Sequence, residues 1–111
     1  MKKVTITAYD ESRGFSLKNL GGYTLSVGIG KSHYCENQID EGQEGETATM
    51  EVAIMDEKGH FVCLPDDVAG NVRVSKLAHI IIAITVHDWH KVCWLCDEDA
   101  IPHKFPKEEV A

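Results

Sequence analysis

No apolar run in this sequence approaches the length needed to cross a bilayer. The longest, Ile80 to Ile84 with Thr85 and Val86 beside it, falls far short of the roughly 20 residues a spanning helix requires. The amino terminus also lacks the continuous apolar stretch of a secretory signal, because Met1-Lys2-Lys3 passes at once into the alternation Val4-Thr5-Ile6-Thr7. A soluble, intracellular protein is expected. The four cysteines, Cys35, Cys63, Cys93 and Cys96, are then expected as reduced thiols or metal ligands rather than as a disulfide framework. Proline is scarce and its placement is informative. Pro102 and Pro106 forbid a regular helix through the end of the chain, so residues 100–111 are expected as an extended tail.

Lys and Arg are missing altogether between Ser32 and Glu57, where eight acids stand: Glu36, Asp40, Glu41, Glu44, Glu46, Glu51, Asp56 and Glu57. That stretch contributes −8 to a net charge of −7, which leaves the remainder at +1. A surface of that polarity repels phosphate backbones and disfavours direct nucleic-acid binding, whereas basic protein surfaces complement it. Within the stretch, residues 36–46 carry one large apolar side chain, Ile39, and two glycines. So little burial cannot offset the entropy of ordering, and a mobile acidic loop is expected there.

What remains is enough for one core. With 111 residues, 43% hydrophobic and 26% charged, the chain is expected to form a single domain over residues 1–111. Val4 to Tyr9 alternates with period two and predicts a strand; Tyr23 to Ile29 predicts a second, with Tyr23, Leu25, Val27 and Ile29 on its core face. Thr47 to Met55, the turn signal Asp56-Glu57-Lys58-Gly59 and His60 to Leu64 predict a β-hairpin, and the breakers in Pro65 to Asn71 predict a loop. Beyond it, Ser75 can cap a helix on which Leu77, Ala78, Ile81, Ile84 and Thr85 share a face. The β-branched run Ile80 to Ile82 suits a strand almost as well. Taking helix, reaching Trp89 or Cys93, the expected fold is α+β: a four-stranded, mostly antiparallel sheet with one carboxy-terminal helix packed on one face, in two layers.

The densest group of metal-capable side chains is His87, His90, Cys93 and Cys96, with His103 further on. Imidazole and thiolate are the usual zinc ligands, and Cys-x2-Cys is a common zinc knuckle. At about 100° per residue, however, four ligands three apart drift through roughly 180° on a continuous helix, so one closed site requires the helix to break before Cys93. A second arrangement pools His33, Cys35, His60 and Cys63 with Cys93 and Cys96. The bland alternative is buried free cysteines with surface histidines and no cofactor.

Cys93-Trp94-Leu95-Cys96 also has redox spacing, but it follows a helix signal and precedes Asp97-Glu98-Asp99, both contrary to a low-pKa thiol. Gly28-Ile29-Gly30-Lys31-Ser32 resembles the end of a phosphate-binding loop, yet Leu25 stands where the first glycine belongs. Cys35, Cys63 and six histidines leave a thiol or other small enzyme open without pointing to one. Trp89 and Trp94, flanking His90 and Lys91, are either an exposed anchor for a partner or the closing edge of the core.

Gly22 to Gly30, followed by His33-Tyr34-Cys35-Glu36-Asn37 and by Ala48 to Asp56, resembles small uncharacterised accessory proteins carried by phages and prophages. The likeness covers the middle third of the chain. It implies a protein of a bacterial host cytoplasm that binds, and in some cases blocks, a host factor such as a defence nuclease complex. The expected function is therefore a non-enzymatic binding protein. Its partner-binding residues are Glu36, Asp40, Glu41, Glu44, Glu46, Trp89 and Trp94, and self-association as a homodimer stays open. The alternative is a zinc-stabilised module using Cys93 and Cys96 with histidines.

Overall fold

A computed structural model describes residues 4–8, 14–29 and 48–97. The stretches expected as an acidic loop (36–46) and an extended tail (100–111) lie outside the described residues. The fold is α+β, an antiparallel sheet with helices following it in the chain. Among the described residues the sheet has five strands in sequence order: β1 (Thr5–Ala8), β2 (Gly14–Leu20), β3 (Tyr23–Gly28), β4 (Thr49–Met55) and β5 (Val68–Arg73). A 3-10 turn, Val74–Lys76, then leads into α1 (Leu77–Thr85) and α2 (Trp89–Cys96). No described helix is long and apolar enough to cross a membrane.

One face of the sheet carries apolar rows, and the other mixes small residues with Lys18, Glu51 and Met55. Pairing aligns Ile6 with Leu17, Leu17 with Leu25, and Leu25 with Ile54; a second row runs from Phe15 through Val27 to Val52. Leu25, Val27, Met50, Val52, Ile54 and Val72 are buried in one cluster with Ile80, Ala83 and Ile84 of α1 and Trp89, Val92 and Cys93 of α2. Each large aliphatic side chain so buried contributes about 1.5–3 kcal/mol. The opposite face carries Gly14, Ser16, Ser26, Gly28 and Ala53 along the same pairings, so a single apolar layer supplies the core.

Two strands escape a period-two reading because each holds a bulge. In β2, Leu17 pairs with Leu25 but Leu20 pairs with Tyr23, so one extra residue lies between them and Asn19 takes a φ of 70°. In β5, Val72 pairs with Met50 but Ala69 pairs with Val52, and Asn71 takes a φ of 54°. A bulge returns residues three apart to the same face, and Asn tolerates the left-handed conformation better than most side chains. The expected loop at Pro65 to Asn71 is thus partly strand β5.

The expected hairpin strand His60 to Leu64 is correspondingly reduced. Asp56 builds the turn, its Oδ1 accepting from the backbone of Lys58 and His60 at 2.9 Å each. Beyond it, an isolated bridge joins Met55 to Phe61 and the N–H of Val62 donates to the carbonyl of Ile54 at 2.9 Å, while β5 is the strand that pairs with β4 on the side away from β3. The single expected helix is two, interrupted at Val86–Asp88.

The β2–β3 turn is Gly21-Gly22, with φ of 58° and 93°, the two-residue hairpin loop that suits strand twist. Gly21 is constrained a second way: a Cβ there would meet the carbonyl oxygen of Thr85 at 2.6 Å and Nε2 of His87 at 2.8 Å. Gly59 has a similar φ of 82° but open space around it. Gly21→Ala is expected to destabilise the protein by about 2–4 kcal/mol, combining left-handed strain with overpacking, and Gly59→Ala by about 1 kcal/mol from strain alone. Urea denaturation of both variants checks this; equal losses would mean that the close approach at Gly21 is not a constraint.

Candidate functional site

The segment between the helices is an elbow with defined chemistry. The N–H of His87 donates to the carbonyl of Ile84 at 3.0 Å and that of Asp88 to the carbonyl of Ala83 at 2.9 Å, the paired bonds of a Schellman motif. His87 occupies the left-handed position where glycine is usual, with φ 59°. Asp88 then caps α2, its Oδ1 accepting from the backbone of Lys91 at 3.3 Å. The ring of His87 reaches the sheet: Nε2–H donates to the carbonyl of Gly21 at 2.7 Å. The same ring stacks on Trp89, centroids 5.5 Å apart, and Tyr23 meets both rings edge-on, at 5.2 Å from His87 and 4.7 Å from Trp89. Sequence reasoning missed this group, although Gly21-Gly22 and an Asp88 placed to cap Lys91 were its signals.

The helix does break before Cys93, yet the break does not assemble the expected ligand set. His87 is committed to Gly21 and Trp89, and His90 is exposed while Cys93 and Cys96 are buried. Among the described residues, no three or more His, Cys, Asp or Glu side chains are arranged to hold a metal ion. His33, Cys35 and His103 lie outside the described residues. His60 is exposed and turns to Asp56, Nδ1 to Oδ2 3.6 Å.

Cys63, Cys93 and Cys96 instead form a buried thiol neighbourhood under α2. Cys63 has a φ of 73° and donates from Sγ to the carbonyl of Trp89 at 3.4 Å, which ties the connection after β4 to the first turn of α2. Burial pushes its thiol up to about 12, with the charge that Cys93 would carry adding to the shift and the Cys93 backbone N–H opposing it. Burial also raises Cys93, with Asp97 second. Cys96 is pushed up to about 12, first by burial and then by the other two thiols; Lys76 partly opposes this. A nucleophilic or redox cysteine needs a depressed pKa and access, and these three have neither.

Two acidic stretches of sequence attach at one end of the sheet. Ala8 pairs with Phe15, and Gly14 pairs with Gly28, which lies opposite Glu51. The connections 9–13 and 30–47 therefore leave from and return to the same end. Those two segments hold seven acids (Asp10, Glu11, Glu36, Asp40, Glu41, Glu44 and Glu46) against Arg13 and Lys31, so −5 of the net −7 belongs to them. Helix α2 begins at the other end, where Trp89 meets Tyr23 beside the Gly21 turn, and returns: Nζ of Lys76, three residues beyond β5, donates to the carbonyl of Leu95 at 3.2 Å. Its last turn presents Trp94, 55% exposed, whereas Trp89 at 6% is core. Of the two tryptophans weighed as an anchor, only Trp94 is available. Of the acidic partner-binding candidates, Glu36, Asp40, Glu41, Glu44 and Glu46 lie outside the described residues.

No protein-family model, curated protein or solved structure matches the chain.

The thiols carry a pH signature. A folded-state pKa raised above the unfolded value means that the native protein holds protons the unfolded chain releases, so stability is full below about pH 8.5 and falls as pH rises towards 12. Each such thiol contributes a slope of up to about 1.4 kcal/mol per pH unit in that window. Cys96→Ala is expected to flatten the alkaline limb of stability against pH, measured by urea denaturation. Peptide mapping after iodoacetamide treatment of native protein at pH 8 should find Cys63, Cys93 and Cys96 unmodified, and rapid labelling of any of them would contradict the burial described.

Proposed function

We propose that this chain is a non-enzymatic accessory protein of the phage type that binds, and thereby blocks, a basic host protein in a bacterial cytoplasm. The binding surface is the end of the sheet to which the two acidic connections attach, with Trp94 as its apolar anchor. The observation that carries this reading is the exposure of Trp94 on the last turn of α2, at the end from which segments 9–13 and 30–47 depart. A large aromatic side chain left in water has no stabilising role in the core, and aromatic anchors ringed by polar groups are a usual composition of a binding hot spot. Carboxylates around such an anchor accelerate encounter with a cationic surface and reject anionic ones. A nuclease complex, whose nucleic-acid channel must be basic, is a target of the right chemistry. The raised thiols support the non-enzymatic half of the reading, since a cysteine enzyme needs the opposite shift.

The two contributions are separable by salt. With the protein immobilised and challenged with bacterial lysate, Glu41→Gln/Glu44→Gln/Glu46→Gln should reduce recovery of the captured protein by about tenfold at low ionic strength and much less at high, because exposed charges are screened. Trp94→Ala should reduce recovery by about tenfold or more at both. Recovery unchanged by either substitution, read by quantitative mass spectrometry, would refute the proposal.

A further inference from the structure

Strand β1 is an edge of the sheet among the described residues, and Val4 and Ile6 are exposed there. Ile6 continues the row Leu17, Leu25 and Ile54, of which the last two are fully buried, yet Ile6 is 71% exposed. Val4, two residues earlier and on the same face, is 46% exposed. The core thins steadily in this direction: Phe15 and Leu17 of β2, the pairing neighbours of Ala8 and Ile6, are only partly buried. Among the described residues the row thus ends at an edge strand whose Val4 and Ile6 side chains meet water.

The charges that flank β1 indicate what completes it. Lys2 and Lys3 precede the strand and Asp10 and Glu11 follow it, while Val4 to Ala8 is uncharged. A strand basic at one end and acidic at the other is complementary to itself when reversed. Parallel pairing would set lysine against lysine and acid against acid.

We propose that β1 pairs antiparallel with β1 of a second copy of this chain, centred on Ile6, so that two five-stranded sheets join into one continuous sheet. In that register Ile6 lies beside the Ile6 of the other copy and Val4 is opposite Ala8, and the basic sequence that precedes the strand is opposite in charge to the acidic sequence that follows it. Antiparallel neighbours keep their side chains on a common face, so the apolar row runs unbroken across the junction and both helical layers lie on the same side. The backbone groups along the free edge gain partners in the same step. Like net charge of the two copies does not forbid this at physiological salt, where charges farther apart than about 8 Å are largely screened.

Sedimentation velocity of the full chain over roughly 1–100 μM, the range expected of a small interface, tests the proposal. The expected result is a species of twice 12.3 kDa that gains population with concentration. Ile6→Lys should weaken self-association by about tenfold or more while leaving the far-ultraviolet circular dichroism unchanged, because the side chain is already in water. Lys2→Glu/Lys3→Glu and Asp10→Lys/Glu11→Lys should each be monomeric alone and should form a mixed dimer when combined, detected with one variant carrying a fluorophore. A chain that stays at 12.3 kDa throughout, a dimer indifferent to Ile6→Lys, or charge-reversed variants that fail to combine would each overturn it. Dimerisation lost on Ile82→Lys but not on Ile6→Lys would assign the contact to the outer face of α1 and overturn it equally.

Discussion

The bond from His87 Nε2–H to the carbonyl of Gly21 is the point on which the architecture turns. It joins the elbow of the helical layer to the tightest turn of the sheet, two places separated by 66 residues in the chain. Each side is specialised for the meeting. Gly21 has no Cβ because Thr85 and His87 occupy the space a Cβ would need, and His87 accepts a left-handed backbone that costs roughly 1 kcal/mol. The hydrogen bond and the stack on Trp89 offset that cost.

The neighbouring part of the core is built around that contact. Trp89 is held between Tyr23 and His87, which brings its carbonyl within reach of the Cys63 thiol. Cys63 therefore acts as a small buried side chain with one hydrogen-bond donor, and Cys93 and Cys96 fill the same neighbourhood under α2. Thiols that are buried together and made less acidic contribute by packing, and their alkaline sensitivity is a consequence of that burial. Among the described residues, Cys63, Cys93 and Cys96 thus serve as packing side chains. The acidic segments attach at one end, and among the described residues Ile6, Ile82, Val86 and Trp94 are the most exposed large apolar side chains.

Comparison of particular elements separates what pattern can reveal from what it cannot. Strands β1, β3 and β4 follow strict alternation and were legible, as was the helical spacing of Leu77, Ile81 and Ile84. β2 and β5 were not, because Asn19 and Asn71 sit in bulges that shift the apolar residues from spacing two to spacing three. Gly70-Asn71 reads as a breaker for the same reason, whereas Pro65 does lie in a turn ahead of β5. The helix interruption was half legible: the metal argument required a break before Cys93, and one occurs at Val86–Asp88, but it serves docking onto Gly21 and not ligand geometry. Between Trp89 and Trp94, spacing along a helix distinguishes two faces but cannot say which face meets the sheet.

The amino-acid sequence by itself determined the fold class, the location of the negative charge and the want of any long apolar span, because these depend on composition and local periodicity. Tertiary structure alone decided that Trp89 is interior and Trp94 is not, that the thiols are shielded, and that two acidic connections attach at a common end of the sheet. Those properties depend on which distant residues become neighbours. That choice is made by strand pairing and by the apolar cluster that joins the helices to the sheet, to which the Gly21–His87 contact adds one bond.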